Sequence, residues 1–178
     1  MEPHAVAPGP GGELVSEPPF DPMAGLGVLV EQGVRFVLIG GYAAALRGSP
    51  MLTGDLDICH ARDRENLERL AAALSRLGAR LRGVPADVPF QLDARTLAAG
   101  DHFTFATDAG PIDCLGAPAG TDGFADLSAS ATDEDLEGLI VAVASLDDLI
   151  RMKRAAGRPQ DRIAVEWLTA LSDELEES

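Results

Sequence analysis

Basic residues are scarce in this chain: fourteen Lys and Arg stand against twenty-nine Asp and Glu in 178 residues, a formal net charge of −15. A field of that sign repels phosphate backbones unless the cations are gathered in one place, so non-specific DNA binding is not expected. Cysteine is scarcer still. Cys59 and Cys114 sit inside apolar runs without CxxC spacing, which argues for reduced core thiols rather than a disulfide or a zinc site. No apolar run approaches the roughly 18–20 residues that span a bilayer. The opening "MEPHAVAPGPGGELVSEPPFDP" also lacks the basic and apolar regions of a signal peptide, so a cytoplasmic protein with no membrane partner is expected.

What remains is a chain with 46% apolar residues, long enough for one domain with a sizeable core. Residues 1–19 hold five of the twelve prolines and no periodicity, and read as a disordered arm before a single domain over 20–178. "DPMAGLGVLVEQG" then predicts a helix with Asp21 as N-cap, Pro22 at its first position and Gly33 at its end. "VRFVLIG" predicts a strand, "YAAALRG" a short helix, "DLDICH" a second strand and "DRENLERLAAALSRLG" an amphipathic helix capped by Asp63. "ARLRG" suggests a short strand and "LDARTLAAG" a helical turn or two. "HFTFAT" and "PIDCLG" alternate across Asp108, Ala109 and Gly110, the pattern of a β-hairpin. "TDGFADLSAS" reads as a loop, "LIVAVAS" as a last strand, and two helices close the chain, one capped by Ser145 and one from Pro159 to Glu174. The order describes an α/β (α+β) domain built on a small mixed sheet flanked by helices.

Two features of this pattern carry chemistry. Gly40 and Gly41 follow an apolar strand and open a helix, where backbone N–H groups without a neighbouring Cβ can approach a phosphate; a tight turn with no ligand would use the same residues. Asp55 and Asp57 share one face of the second strand while Leu56 and Ile58 enter the core. Carboxylates so close repel, and the usual relief is protonation of one or a divalent cation between them. Asp113 points away from Ile112 and Cys114 on the hairpin. Should the hairpin lie beside "DLDI", three carboxylates converge; otherwise they form the solvated face of an edge strand. Tyr42, directly after the glycines, is placed to stack on a base, and His60 and His102 flank strands where they could assist proton transfer.

The sequence GG, a short helix, G-x-x-x-x-T-x-D-L-D and a lone Asp on a later strand resembles the nucleotidyltransferase fold of the DNA polymerase β superfamily. The closing "VASLDDLIRMKRAAGRPQD" further resembles small bacterial members grouped with AbiEii-type toxins, and the likeness spans residues 22–170. The resemblance implies Asp55, Asp57 and Asp113 as catalytic ligands of Mg²⁺ or Mn²⁺, with Gly40, Gly41 and Thr53 among the nucleotide-binding residues. It implies an NTP as one partner and RNA such as tRNA, a protein or a small molecule as acceptor, with a cognate antitoxin if the chain is half of a toxin–antitoxin pair. The family commonly carries arginine two positions before the threonine, where this chain has Met51, and often serine where it has Gly41. A substitute for the missing charge lies in the run Arg151, Lys153, Arg154, Arg158 and Arg162, of which Lys153 is the expected triphosphate contact; a solvated helical face is the plainer reading. The expected activity is metal-dependent transfer of an NMP from an NTP to a hydroxyl. The alternatives are a non-catalytic binding module of the same fold and an aminoglycoside-modifying enzyme, whose cationic substrate suits an acidic cleft.

Overall fold

The computed structural model describes residues 17–178, so all but the last three residues of the expected arm lie outside the described residues. Helix α1 (Pro22–Glu31) begins as its sequence requires, with Asp21 Oδ1 accepting from the Ala24 N–H and Pro22 at the first position. The chain continues through β1 (Phe36–Ile39), α2 (Gly40–Leu46), β2 (Leu56–His60), α3 (Arg64–Arg76), β3 (Arg80–Leu81) and α4 (Ala94–Ala99). The hairpin β4 (His102–Thr107) and β5 (Gly110–Leu115) follows, then α5 (Phe124–Ser130), β6 (Thr132–Leu136), β7 (Leu139–Val143), α6 (Leu146–Ala156) and α7 (Asp161–Glu176). Asp63, Asp93 and Ser145 cap α3, α4 and α6 through their side chains.

Seven strands form one mixed sheet in the order β3-β4-β5-β2-β1-β7-β6, the α/β class expected from the sequence. All four residues of β1 are buried, as befits a central strand. It runs antiparallel to β2 and parallel to β7, while β2 runs parallel to β5. One face of β2 and β5 belongs to the core: a Cβ on Gly25 of α1 would come within 2.9 Å of Leu56, so the missing side chain lets α1 lie close to Leu56 and Ile112. The opposite face carries Asp57 and Asp113 toward α6 and α7.

Two readings of the sequence are corrected here. Residues expected as a loop form α5, which starts at Gly123 with φ 92° and buries Leu127 completely. The Arg35 guanidinium lies over the Phe124 ring at 5.7 Å and helps seat it. The strand β6 was not expected, because "TDEDL" has no apolar alternation; it forms by pairing with β7 across the tight turn Glu137–Gly138, whose φ values are 56° and 92°. Its acidic side chains suit an edge strand. Cys59 and Cys114 are buried free thiols, as expected, and burial pushes the Cys59 thiol up to about 12. No helix among the described residues is long and apolar enough to cross a membrane.

Candidate active site

The parallel register of β2 and β5 sets Asp57 directly beside Asp113, with Ile39 as its neighbour on the other side. Asp55 precedes β2 by one residue and completes the group: one oxygen from each of Asp55, Asp57 and Asp113 lies within 4.8 Å of the others. Like charges held this close and half-buried repel, and the repulsion bears on Asp57. Burial, then the charges of Asp55 and Asp113, push the Asp57 carboxyl up to about 7, against a smaller opposing pull from Lys153. Asp113 Oδ1 is buried and has no hydrogen-bond partner among the described residues. Such an orphaned oxygen is costly in a native fold unless something outside the protein satisfies it.

The loop after α2 holds this group in place. Thr53 Oγ1 donates to Asp55 Oδ1 at 3.1 Å and approaches its carbonyl at 3.3 Å. A Cβ on Gly41 would come within 2.9 Å of that same Thr53 hydroxyl oxygen, so a side chain there would require Thr53 to shift. Gly40 has φ 69° and its absent side chain leaves room for the Asp57 carboxylate.

A cleft of about 530 Å³ opens on the triad, lined also by Gly40, Gly41, Thr53, His102 and Lys153. Leu149 and Met152 of α6 and Leu168 of α7 give it an apolar wall, with Met51 at the mouth. His102 Nε2 stands 3.8 Å from Asp113 Oδ2, whereas His60 is buried and approaches the Ala61 carbonyl at 3.2 Å. Tyr42 does not line the cleft. One residue beyond Gly41, α2 has turned the ring away to meet Phe20 edge-on at 6.2 Å, so the base-stacking role expected of it has no geometric support.

The basic run divides in a way its spacing does not reveal. Arg151 is engaged by Asp126 at 3.0 Å and Asp148 at 2.8 Å, holding α5 to α6. Arg154 reaches toward Thr169, and Arg162 lies outside the cleft. Only Lys153 and Arg158 of the five line the cleft, and both are bound by Asp161. Arg158 was named only as one of the basic run, and Asp161 was not foreseen as a site residue. One signal was present: Lys153 is the sole lysine among fourteen basic residues.

No protein-family model matches the chain, and no curated protein matches it in sequence. Solved structures do. The antibiotic-resistance factor ANT(2'')-Ia aligns over 85% of this chain and 80% of its own, with 18% identity and a TM-score of 0.54. The lincosamide antibiotic adenylyltransferase LnuA, solved with lincomycin, aligns over 86% of this chain and 99% of its own, at 12% identity and a TM-score of 0.58. TM1012 of Thermotoga maritima, a proposed nucleotidyltransferase, aligns over 86% and 89% at 18% identity and a TM-score of 0.52. The fold is that of the nucleotidyltransferases. Identities this low carry the fold and not the substrate, while the expected resemblance to AbiEii-type toxins has no counterpart among these structures.

Proposed function

We propose that this nucleotidyltransferase-fold protein is a metal-dependent enzyme that moves an NMP group from an NTP to a hydroxyl-bearing acceptor: the hydroxyl oxygen bonds the α-phosphorus, the bond from that phosphorus to the bridging oxygen breaks, and pyrophosphate leaves. The observation that carries the reading is the convergence of Asp55, Asp57 and Asp113 beside the Gly40–Gly41 turn in a cleft. Three carboxylates, one with a buried unpartnered oxygen, make a hard, anionic donor set that fits Mg²⁺ or Mn²⁺. When bound, such a cation lowers the pKa of an attacking hydroxyl and neutralises charge on the triphosphate.

The chain's own residues supply the rest. Asp55 and Asp57 hold the cation, with Thr53 orienting Asp55 through its hydroxyl. Asp113 lies nearest His102 and is assigned the acceptor side, where it takes up the proton of the incoming hydroxyl. Gly40 and Gly41 leave backbone N–H groups uncovered for phosphate oxygens, and Lys153 meets the triphosphate charge. Met51 contributes no charge at the mouth, so the cations of α6 and the corner after it carry that task.

For the acceptor, a small molecule is favoured over tRNA or protein. The cleft has the volume of a drug-sized site, and the similar structures include one with lincomycin and one with adenylyl-2''-tobramycin. ATP is accordingly the first donor to test. A cytoplasmic location, where NTP and Mg²⁺ are abundant, goes with this reading. The deciding experiment incubates the protein with each labelled NTP, Mg²⁺ or Mn²⁺, and panels of aminoglycosides, lincosamides, tRNA and proteins. Label on a small molecule supports the proposal; label on tRNA or protein favours a toxin with a cognate antitoxin. Binding of NTP with no transfer to any acceptor leaves a non-catalytic module.

A further inference from the structure

The corner between α6 and α7 gathers three charged side chains. Gly157 ends α6 in the left-handed conformation (φ 63°), and α7 begins at Asp161. The short connection turns Asp161 back onto α6. Its side chain is only 7% exposed; Oδ1 accepts from Lys153 Nζ at 3.2 Å and Oδ2 from Arg158 Nε at 2.8 Å. Burial works against the charged carboxylate, but the hydrogen bonds from Arg158 and Lys153 outweigh it and hold the carboxyl below its ordinary range. Both cations line the cleft and Asp161 does not.

The arrangement is asymmetric in a useful way. A buried carboxylate without partners is strongly unfavourable, so Asp161 keeps both cations close. A lysine on a flexible four-carbon stem otherwise spends its time in solvent, and ordering it when a ligand arrives weakens binding. Thirteen of the fourteen basic residues are arginine, yet the position facing Asp57 is the sole lysine, a compact charge with three rotatable donors. Held by one oxygen of Asp161, its other two N–H bonds remain for a ligand.

We propose that Asp161 is a positioning residue for nucleotide binding, holding Lys153 and Arg158 as a preset cationic pair on the wall that receives the triphosphate. This rests on the nucleotidyl-transfer reading. The test measures Mg²⁺·ATP and inorganic triphosphate binding to the wild type, Asp161→Asn and Asp161→Ser, each repeated in a Lys153→Ala/Arg158→Ala background. Melting curves accompany each variant, since Asp161 also opens α7. The expected result is a loss of about tenfold in affinity for both probes in the wild-type background, and no further loss where the two cations are already gone. Because Lys153 bears the sole side-chain amine, acylation at this residue reads its surroundings alone by mass spectrometry. Asp161→Asn should speed that reaction, and Mg²⁺·ATP should protect the wild type. An equal loss in both backgrounds, or a lower melting temperature with unchanged affinity, overturns the positioning role while leaving the nucleotidyl-transfer reading intact. Failure of the wild type to bind either probe overturns both.

Discussion

Gly40 and Asp57 occupy one space: a Cβ on Gly40 would stand within 2.6 Å of the Asp57 carboxyl carbon, and Gly40 holds φ 69°, where side chains other than glycine are strained. The turn that opens α2 and the strand that presents the carboxylates are thereby locked together. Their coupling makes glycine at this position a requirement of the site as well as of the backbone.

Gly40→Ala is therefore expected to do two things at once. The left-handed conformation costs about 1–3 kcal/mol for alanine, and displacement of Asp57 should abolish Mg²⁺-dependent nucleotide binding. Gly27→Ala is the control, since a Cβ there meets nothing within 4 Å. Calorimetry and thermal melting of the two variants check this. Equal melting temperatures, with nucleotide binding retained in Gly40→Ala, would show that the space can be shared after all.

The raised pKa of Asp57 makes a prediction about stability without metal. Its folded value, about 7, lies above the ordinary 3.8, so the folded state binds the proton more tightly than the unfolded chain. Stability from this group is full below about pH 4, declines as pH rises toward 7, and stays lost above it. Asp57→Asn removes the dependence. Without added metal, the variant should be more stable than wild type at pH 8 by on the order of 4 kcal/mol, and the difference should largely vanish near pH 4. Mg²⁺ should raise the wild-type melting temperature at pH 8 and leave the variant's unchanged. A wild type as stable as Asp57→Asn at pH 8 would contradict the crowding inferred here.

Lys153 and Arg162 give a paired test of the basic run. Lys153→Ala should weaken Mg²⁺·ATP binding by about tenfold, with the difference shrinking at high salt. Arg162→Ala, outside the cleft, should leave it unchanged. Titrations at two ionic strengths decide the matter, and equal small effects would return the whole run to a solvated surface.

The parts of this site that could be read from sequence were those written into strand alternation. Asp55 and Asp57 stand out because charge interrupts an apolar strand, and Asp113 because Ile112 and Cys114 fix which way it points. What alternation cannot supply is register: that β5 lies parallel to β2 with Asp113 beside Asp57 depends on a crossover through α3 and the β3–β4 segment. Tyr42 lies outside the lining of the cleft because adjacency in a helix is not adjacency in space; successive residues turn by about 100°. Asp161 escaped notice, and Arg158 was not singled out from its run, because an i,i+3 ion pair at a helix corner looks like any solvated face until burial of the carboxylate is known. β6 and α5 were missed for lack of apolar periodicity, both being short elements that exist through pairing or through one buried leucine.

Asp113 separates binding from chemistry. Asp55 is oriented by Thr53 and Asp57 is wedged between Gly40 and Asp113, so these two carboxylates form the rigid part of the site. Asp113 instead offers a buried oxygen with no partner and an outer one facing His102 at 3.8 Å, the side on which an acceptor hydroxyl would arrive. Asparagine in its place preserves shape but removes the charge that holds a cation and can take up a proton. Asp113→Asn is thus expected to bind Mg²⁺·ATP within a few-fold of wild type while transfer falls by at least about a hundredfold, the lower end of what a positioned acid–base group contributes. Asp57→Asn should impair both. The measurement is nucleotide binding by calorimetry beside single-turnover transfer to whichever acceptor the labelled-NTP panel identifies. Transfer at the wild-type rate by Asp113→Asn would remove it from the chemistry and leave Asp55 and Asp57 to act alone.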